Sequence, residues 1–376
     1  MNGVNVTYSS LVIRGTLFFV VAAAHWLLVA PLSLADEILS EGNVAESSPS
    51  AEPASLKLTP ERIHLQQAAR QVVAVHRQKE MSTTQNTPAE IMQNILAFGC
   101  KTTVYSQAHG KSISAVGSLC YGTSCGGYRV IGERPEGVVP RVGLGRQQRP
   151  GELLAVLAQG RVAPNYPVKA GAFRGTIDDL VDWEKLSCRE GADLSMKLIG
   201  LAYYVRDEST WQNDRGETWS IERMVADELK RPIDGSPDGG TNRLIALAYV
   251  CDLRAGRDQS LDGEFAKVLS CLEDHAVTAF ARQQSDGSWH AGYFEPQDLS
   301  DDKTSHLLVT GQMLRWLIPV VTESQLGDPR IVKAVTFLVN ALAEPAYLKE
   351  PSAMTPREIT ATRVACRAVR LYFHDH

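Results

Sequence analysis

Gln283-Gln284-Ser285-Asp286-Gly287-Ser288-Trp289 closes one apolar helical run and, after a polar insert, precedes another from Ser305 to Leu317. Glycine supplies the positive φ a tight reversal needs, and an Asp in a turn bonds backbone N–H groups just ahead of it. A helix that ends in Gln, turns through Asp-Gly and plants a Trp before the next helix is the punctuation of a helical-hairpin repeat. Working outward, KLIGLAYYV at Lys197 to Val205 recurs as RLIALAYVC at Arg243 to Cys251, 46 residues later. Gly-containing turns precede both (Gly191-Ala192-Asp193 and Asp238-Gly239-Gly240), and Asp286 lies 48 residues beyond Asp238. A period of this length holds two helices and two turns.

Apolar residues at three- and four-residue spacing extend the pattern through Glu217 to Leu229, Gly263 to Gln283, Pro329 to Ala343 and Pro356 to Phe373. Residues 60–99 read as N-terminal helices. Within them Thr87-Pro88-Ala89-Glu90 combines an N-cap, a Pro at the first helical position and a capping-box Glu. Residues 100–150 hold no helical period and are crowded with Gly and Pro, as in CGGYRVIGERPEGVVPRVGLG, and are expected to form short strands or ordered loops covering one end of the helices.

Ahead of the helices the composition changes twice. Arg14, the stretch Leu17 to Ala30 and Ser33-Leu34-Ala35 read as a signal peptide, 1–35, cleaved near Ala35. The apolar stretch is shorter than the roughly 20 residues of a membrane span. Residues 36–59 are rich in Glu, Ser, Pro and Ala and read as a disordered linker. The chain is therefore expected to be exported, periplasmic or extracellular. Removing Arg14 from 38 basic residues leaves 37 against 43 acidic ones, with no Lys/Arg run. Nucleic acid is excluded as a partner on that ground, since backbone binding needs clustered positive charge. Seven cysteines make at least one free thiol; Cys120 and Cys125, in SLCYGTSCGGY, form a candidate disulfide. No two cysteines stand three apart, so no CxxC…CxxC finger exists.

The QQSDGSW turn followed by TSHLLVTGQMLRWL resembles the repeats shared by squalene/terpene cyclases and protein prenyltransferase β subunits. In that superfamily the Gln, Gly and Trp of the turn tie neighbouring hairpins together. The resemblance is strong at this repeat, partial at DGGTN and GADLS, and spans 151–376. The leader together with CYGT…CGGY, WSIERMVADEL, GGTNRL, DGSW and TGQMLRWL, in that order, also resembles a group of exported bacterial toroid proteins of unknown function. What the resemblance implies is an all-α fold, an α/α toroid of about five helical hairpins with a Gly-rich irregular cover segment. In such toroids the inner helices and their N-terminal turns line a central cavity.

On that implication the candidate cavity-lining residues are Asp193, Asn242, Arg243, Asp286, Trp289, His290, His306 and Gln312, with a small-molecule or protein ligand at the DGSW/His306 end. Structural alternatives stand beside them: Asp286 caps its turn, Trp289 packs, Arg243, which shares its repeat position with Lys197, forms an ion pair or lies on a solvated face, His306 is a capped surface histidine, and His290 points to solvent. Known chemistries match poorly. The DxDD acid motif of protonating cyclases is replaced by Asp178-Asp179-Leu180-Val181-Asp182, and aromatic residues are only 7% of the chain, where carbocation cavities are aromatic-rich. A transferase-like zinc site needs an Asp-x-Cys pair with a distant His. Cys251-Asp252 with His306 comes nearest, but adjacent helical residues diverge by about 100°. Cys120-Tyr121-Gly122 resembles one lanthionine-cyclase motif without its Cys-His partner. Asp286, Asp301, Asp302 and Tyr293 are the groups a glycan lyase or hydrolase would draw on. There is no P-loop or HExxH. The sequence thus reads as an exported binding or scaffolding module without a cofactor, the alternative being an enzyme acting on a prenyl, terpenoid-like or carbohydrate substrate.

Overall fold

The computed structural model describes residues 59–135, 137–205, 209–233, 236, 238–290, 302–322 and 325–374. The leader and most of the linker, and with them Tyr293 and Asp301, lie outside the described residues.

The fold is mainly helical. The helices are α1 (Pro60–Gln78), α2 (Pro88–Phe98), α3 (Ala115–Cys120), α4 (Glu152–Gln159), α5 (Ile177–Leu186), α6 (Ser195–Tyr204), α7 (Ile221–Lys230), α8 (Thr241–Ala255), α9 (Glu264–Ala281), α10 (Lys303–Val320), α11 (Pro329–Leu342) and α12 (Pro356–Tyr372). Their starts follow local chemistry. Thr87 and Glu90 cap α2 reciprocally, Glu90 Oε2 accepting from Thr87 N at 2.8 Å; Thr355 and Glu358 do the same for α12. Asp328 Oδ1 accepts from Arg330 N at 2.8 Å ahead of α11, where Pro329 takes the first position.

An all-α chain was expected, and nine short strands correct that. β1 (Met81–Ser82), β2 (Thr103–Ser106) and β3 (Lys111–Ser114) form a three-stranded sheet, with β1 parallel and β3 antiparallel to β2. Antiparallel hairpins join β4 (Ile131–Arg134) to β5 (Gly137–Pro140), β6 (Pro167–Ala170) to β7 (Phe173–Thr176) and β8 (Trp211–Gln212) to β9 (Thr218–Trp219). The first sheet and the β4–β5 hairpin fall mostly in the expected cover segment, whereas the β6–β7 and β8–β9 hairpins interrupt the region read as purely helical. The cause is visible in β6, where buried Val168 and Ala170 alternate with exposed Pro167 and Lys169, the period of a strand.

The even-numbered helices carry the packing. α4 packs on α6, α6 on α8, α8 on α10, α10 on α12, and α12 on α2, which in turn meets α4, so the order of neighbours returns to its start. The N-terminal α2 thus stands between the last helix and α4. Buried side chains hold that junction: Arg370 Nη1 donates to Ala97 O at 2.5 Å, Arg363 Nη1 to His76 O at 3.3 Å, and His76 Nε2 to Leu342 O at 3.0 Å. The helices α5, α7, α9, α11 and α1 pack outside: α5 on α6, α7 on α6 and α9, α9 on α8, α11 on α12 and α10, α1 on α11 and α12. α10 and α12 run parallel, because Arg357 donates to Ser305 Oγ at 2.5 Å while Gly311 abuts Val364 and Ala365 further on.

The 283–289 turn is bonded on three sides. Gln283 Nε2 donates to Gly287 O and to Arg330 O, both at 2.9 Å, and the second bond reaches α11. Gly287 sits at φ +93, and a Cβ there would lie 2.6 Å from the Lys333 carbonyl. Trp289 is fully buried; its Nε1 donates to Ala279 O at 2.8 Å and its N–H to Thr310 Oγ1 at 3.0 Å, joining α9 to α10.

Cys120 and Cys125 do not form the expected bridge, and all seven cysteines are free. Cys120 ends α3 inside the core, while Cys125 is held by a backbone bridge to Tyr128, so each thiol is fixed by its own element. Burial pushes the two thiols up to about 12 and about 11. No described helix is long and apolar enough to cross a membrane.

Candidate functional site

Several of the residues that sequence reading nominated sit in turns ahead of the even-numbered helices, where they bond to neighbouring protein groups. Asp286 Oδ1 accepts from Ser288 N at 2.9 Å and from Ser288 Oγ at 2.8 Å, and the buried Ser288 Oγ meets His306 Nδ1 at 3.2 Å. The Ser288 proton is committed to Asp286, so His306 Nδ1–H donates to the hydroxyl rather than withdrawing its proton. That is the wrong order for an activated serine, which needs the imidazole between carboxylate and hydroxyl. The His290 and His306 rings stand edge to face at 5.4 Å. Trp289 is packing, as described above.

Arg243 is an ion-pair partner. Its Nε donates to Glu228 Oε2 at 2.9 Å and its Nη1 to Arg231 O and Pro232 O, both at 2.7 Å. Glu228, fully buried on α7, also accepts from Leu194 N at 2.6 Å and Ser195 Oγ at 3.2 Å. One carboxylate therefore ties the start of α6 to the third residue of α8. The preceding repeat has the same device: Glu184 on α5 lies 2.9 Å from Lys197 Nζ, and both are buried. Burial raises the pKa of both carboxyls, against the pull of Lys197 in one case and of the Leu194 N–H, Arg231 and Arg243 in the other. Sequence reading anticipated an ion pair for Arg243 but not its partners, which lie 13 and 15 residues upstream of the cations. Asp193 is engaged too: Arg149 bonds it and reaches Asp238 at 3.3 Å, and Ser195 N donates to it at 3.2 Å.

A different set of side chains marks another face of these helices. Each even-numbered helix carries partly exposed positions at helical spacing along one stripe: Ala89 and Gln93 on α2, Glu152 and Gln159 on α4, Met196 and Tyr203 on α6. The stripe continues as Asn242, Tyr249 and Asp252 on α8, Leu308, Gln312 and Arg315 on α10, and Thr360 and Arg367 on α12. Spacings of three, four and seven mark a single helical face. Electrostatics join stripes on helices that are not successive in the packing order. Burial raises the pKa of Glu152 on α4, opposed by the Gln148 and Arg149 N–H groups, by Arg149 and by Arg315 on α10. Burial raises that of Tyr249 on α8, with Tyr203 adding to it and Arg367 on α12 opposing it. Asp252 is pushed up to about 6 by burial, against the influence of Arg161, which follows α4. The stripes therefore face one another across an interior.

Within that interior Asn242, Gln312, Arg315 and Arg367 make no side-chain hydrogen bond or ion pair with a described residue. Burial lowers the two guanidinium pKa values to about 10, and each arginine's electrostatic surroundings include a further arginine: Arg367 beside Arg315, Arg370 beside Arg367. Asn242 and Gln312 are thus the two nominated residues that belong to the interior. Arg315, Arg367, Tyr203 and Tyr249 were missed. The signal that pointed to them is a charge or phenol breaking an apolar inner helix, as in TGQMLRWL and LAYVC, with Tyr203 and Tyr249 at equivalent repeat positions. Cys251 and His306 do not form a metal site with Asp252: burial pushes the Cys251 thiol up to about 12, and no group of three His, Cys, Asp or Glu converges among the described residues. Compared with protein-family models, curated proteins and solved structures, the chain finds no match in any of the three.

Proposed function

We propose that this chain is an exported α/α-toroid protein whose interior is a binding site for a small molecule, a binding or scaffolding module rather than an enzyme. Support for the toroid comes from the packing order that returns from α12 to α2 and from Gln283, Gly287 and Trp289 tying one hairpin to the next. Support for export comes from the leader composition at Arg14 to Ala35. The observation that carries the binding reading is the contrast between bonded turns and four interior side chains, Asn242, Gln312, Arg315 and Arg367, that have no side-chain partner among the described residues. Polar groups withdrawn from bulk water without partners are destabilising and are kept where a ligand or water completes them.

The test is native mass spectrometry of the protein recovered from an exported fraction, with a thermal-shift panel of metabolites. A small-molecule adduct or a stabilising hit is expected, and Asn242→Trp, which fills the interior, should abolish it while leaving the melting temperature of the free protein unchanged. A hit that survives Asn242→Trp, or no adduct and no hit at all, overturns the reading.

A further inference from the structure

The α10 and α12 stripes come together because Gly311 lets the two parallel helices approach: a Cβ there would stand 2.9 Å from Val364 Cγ1 and 3.1 Å from Ala365 N. Arg315 follows Gly311 by four residues and Arg367 follows Val364 by three, so the two arginines project from adjacent helices at the same level. Gln312 lies on the same face one turn before Arg315. Among the described residues neither guanidinium has a carboxylate within 4 Å or makes a hydrogen bond, and the buried Nε of Arg367 is unpartnered. Other arginines are treated differently: Arg243 on α8 and Arg357, Arg363 and Arg370 on α12 all donate to protein oxygens.

A guanidinium is rarely withdrawn from water unless paired, and two held side by side repel each other. Neither interior acid pairs with them among the described residues, although Glu152 does act on Arg315 electrostatically. Glu152 accepts from Gln148 N at 2.5 Å near the helix starts, and Asp252 is electrostatically coupled to Arg161.

We propose that Arg315 and Arg367, with Gln312 beside them, form an oxyanion site in the interior, taking a carboxylate or phosphate group of a small ligand. Planar guanidinium forks match both groups bidentately, and a primary amide adds a donor that carries no charge. The proposal rests on the interior-binding reading above and narrows it to anionic ligands.

The experiment reads the two ideas separately. Gln312→Cys is exposed to a small thiol-modifying methanethiosulfonate in anionic (sulfonatoethyl) and cationic (trimethylammonioethyl) forms, and labelling of the introduced thiol is followed by peptide mass spectrometry. The anionic reagent is expected to react faster by roughly tenfold or more relative to a free thiol control, because a confined positive potential concentrates anions. That preference should disappear in Arg315→Met/Arg367→Met and survive in Arg367→Lys. In the arginine-containing background, inorganic phosphate or succinate at matched ionic strength should slow the labelling. Protection by phosphate alone assigns a phosphate group, by succinate alone a carboxylate, and by both a general oxyanion site. Equal labelling by both reagents, or protection by neither anion, overturns the oxyanion site and leaves the interior-binding reading standing. No labelling by either reagent in the folded protein closes the interior and overturns both.

Discussion

Glu228 on α7 and Arg367 on α12 are both charged groups drawn out of bulk water, yet their surroundings are opposite. Glu228 collects donors from the start of α6, from Arg231 and from Arg243, and Glu184 with Lys197 repeats the pairing one period earlier. Arg367 meets no acceptor among the described residues, and neither does Arg315. Buried ion pairs with satisfied hydrogen bonds fix which helix follows which, and their partners are conformationally committed. A charge left open inside the same frame has no such task and destabilises the free protein. The difference separates charges that specify the fold from charges held ready for something else.

The sharpest way to break this contrast is Glu228→Ala. It would leave Arg243, only 5% exposed, buried without its counter-charge and orphan the Leu194 N–H. Unfolding free energy should fall by about 3–5 kcal/mol in urea titrations; a loss below about 1 kcal/mol would mean the turn network does not hold the helices.

A second test uses acid. His76 is fully buried between α1 and α11, donates Nε2–H to Leu342 O, and has an unpartnered Nδ1. Burial lowers its pKa to about 4, with Arg363 and Lys79 adding to the fall. In the unfolded chain the imidazole takes a proton near pH 6.5, so the unfolded state binds more protons between the two values and stability drops as pH falls from about 6.5 to about 4. The loss should approach about 3 kcal/mol for a shift of this size. Asp252 works the other way, since its raised pKa of about 6 favours the protonated native form over part of that window. The measurement is therefore the difference in pH slope between the parent chain and His76→Gln; identical slopes would remove His76 from the frame.

Gly287→Ala comes next. A positive φ and a Cβ placed 2.6 Å from the Lys333 carbonyl combine backbone strain with a clash against main chain that has little room to shift. A destabilisation of about 2 kcal/mol is expected from thermal unfolding. An unchanged melting temperature would show the turn to be looser than its three-sided bonding implies.

These positions differ in how far the sequence announces them. The turn at Gln283 to Trp289, the 46-residue echo of KLIGLAYYV, and the Thr87–Glu90 capping box are local patterns, and each corresponds to an observed element. The β6–β7 and β8–β9 hairpins escaped because strands of two to four residues give too few positions for an alternating pattern to stand out. The packing of α12 on α2 joins residues such as Arg370 and Ala97, 273 apart, and nothing local encodes so distant a pairing. The interior arginines escaped for a related reason. A helix covered by two neighbours and an outer partner is apolar on most of its surface, and the one stripe that faces inward is defined only once those neighbours are in place. Nomination by turn position therefore found Asn242 and Gln312 but filled the remaining places with capping and packing residues.

The smallest expected effect on stability is the most informative about that stripe. Arg315→Met and Arg367→Met keep much of the side-chain length while deleting two unpaired, mutually repelling charges, so unfolding free energy should be unchanged or higher by up to about 1 kcal/mol. Arg243→Met, in the bonded frame, should instead strand Glu228 and fall with the large-effect group. Urea denaturation of the three variants side by side decides the matter. If the interior substitutions cost about 2 kcal/mol or more, Arg315 and Arg367 belong to the frame, and the separation between fold-specifying and open charges collapses. If they cost nothing, then positive charge has been kept in the interior at the expense of stability, which is the pattern of a residue retained for binding rather than for folding.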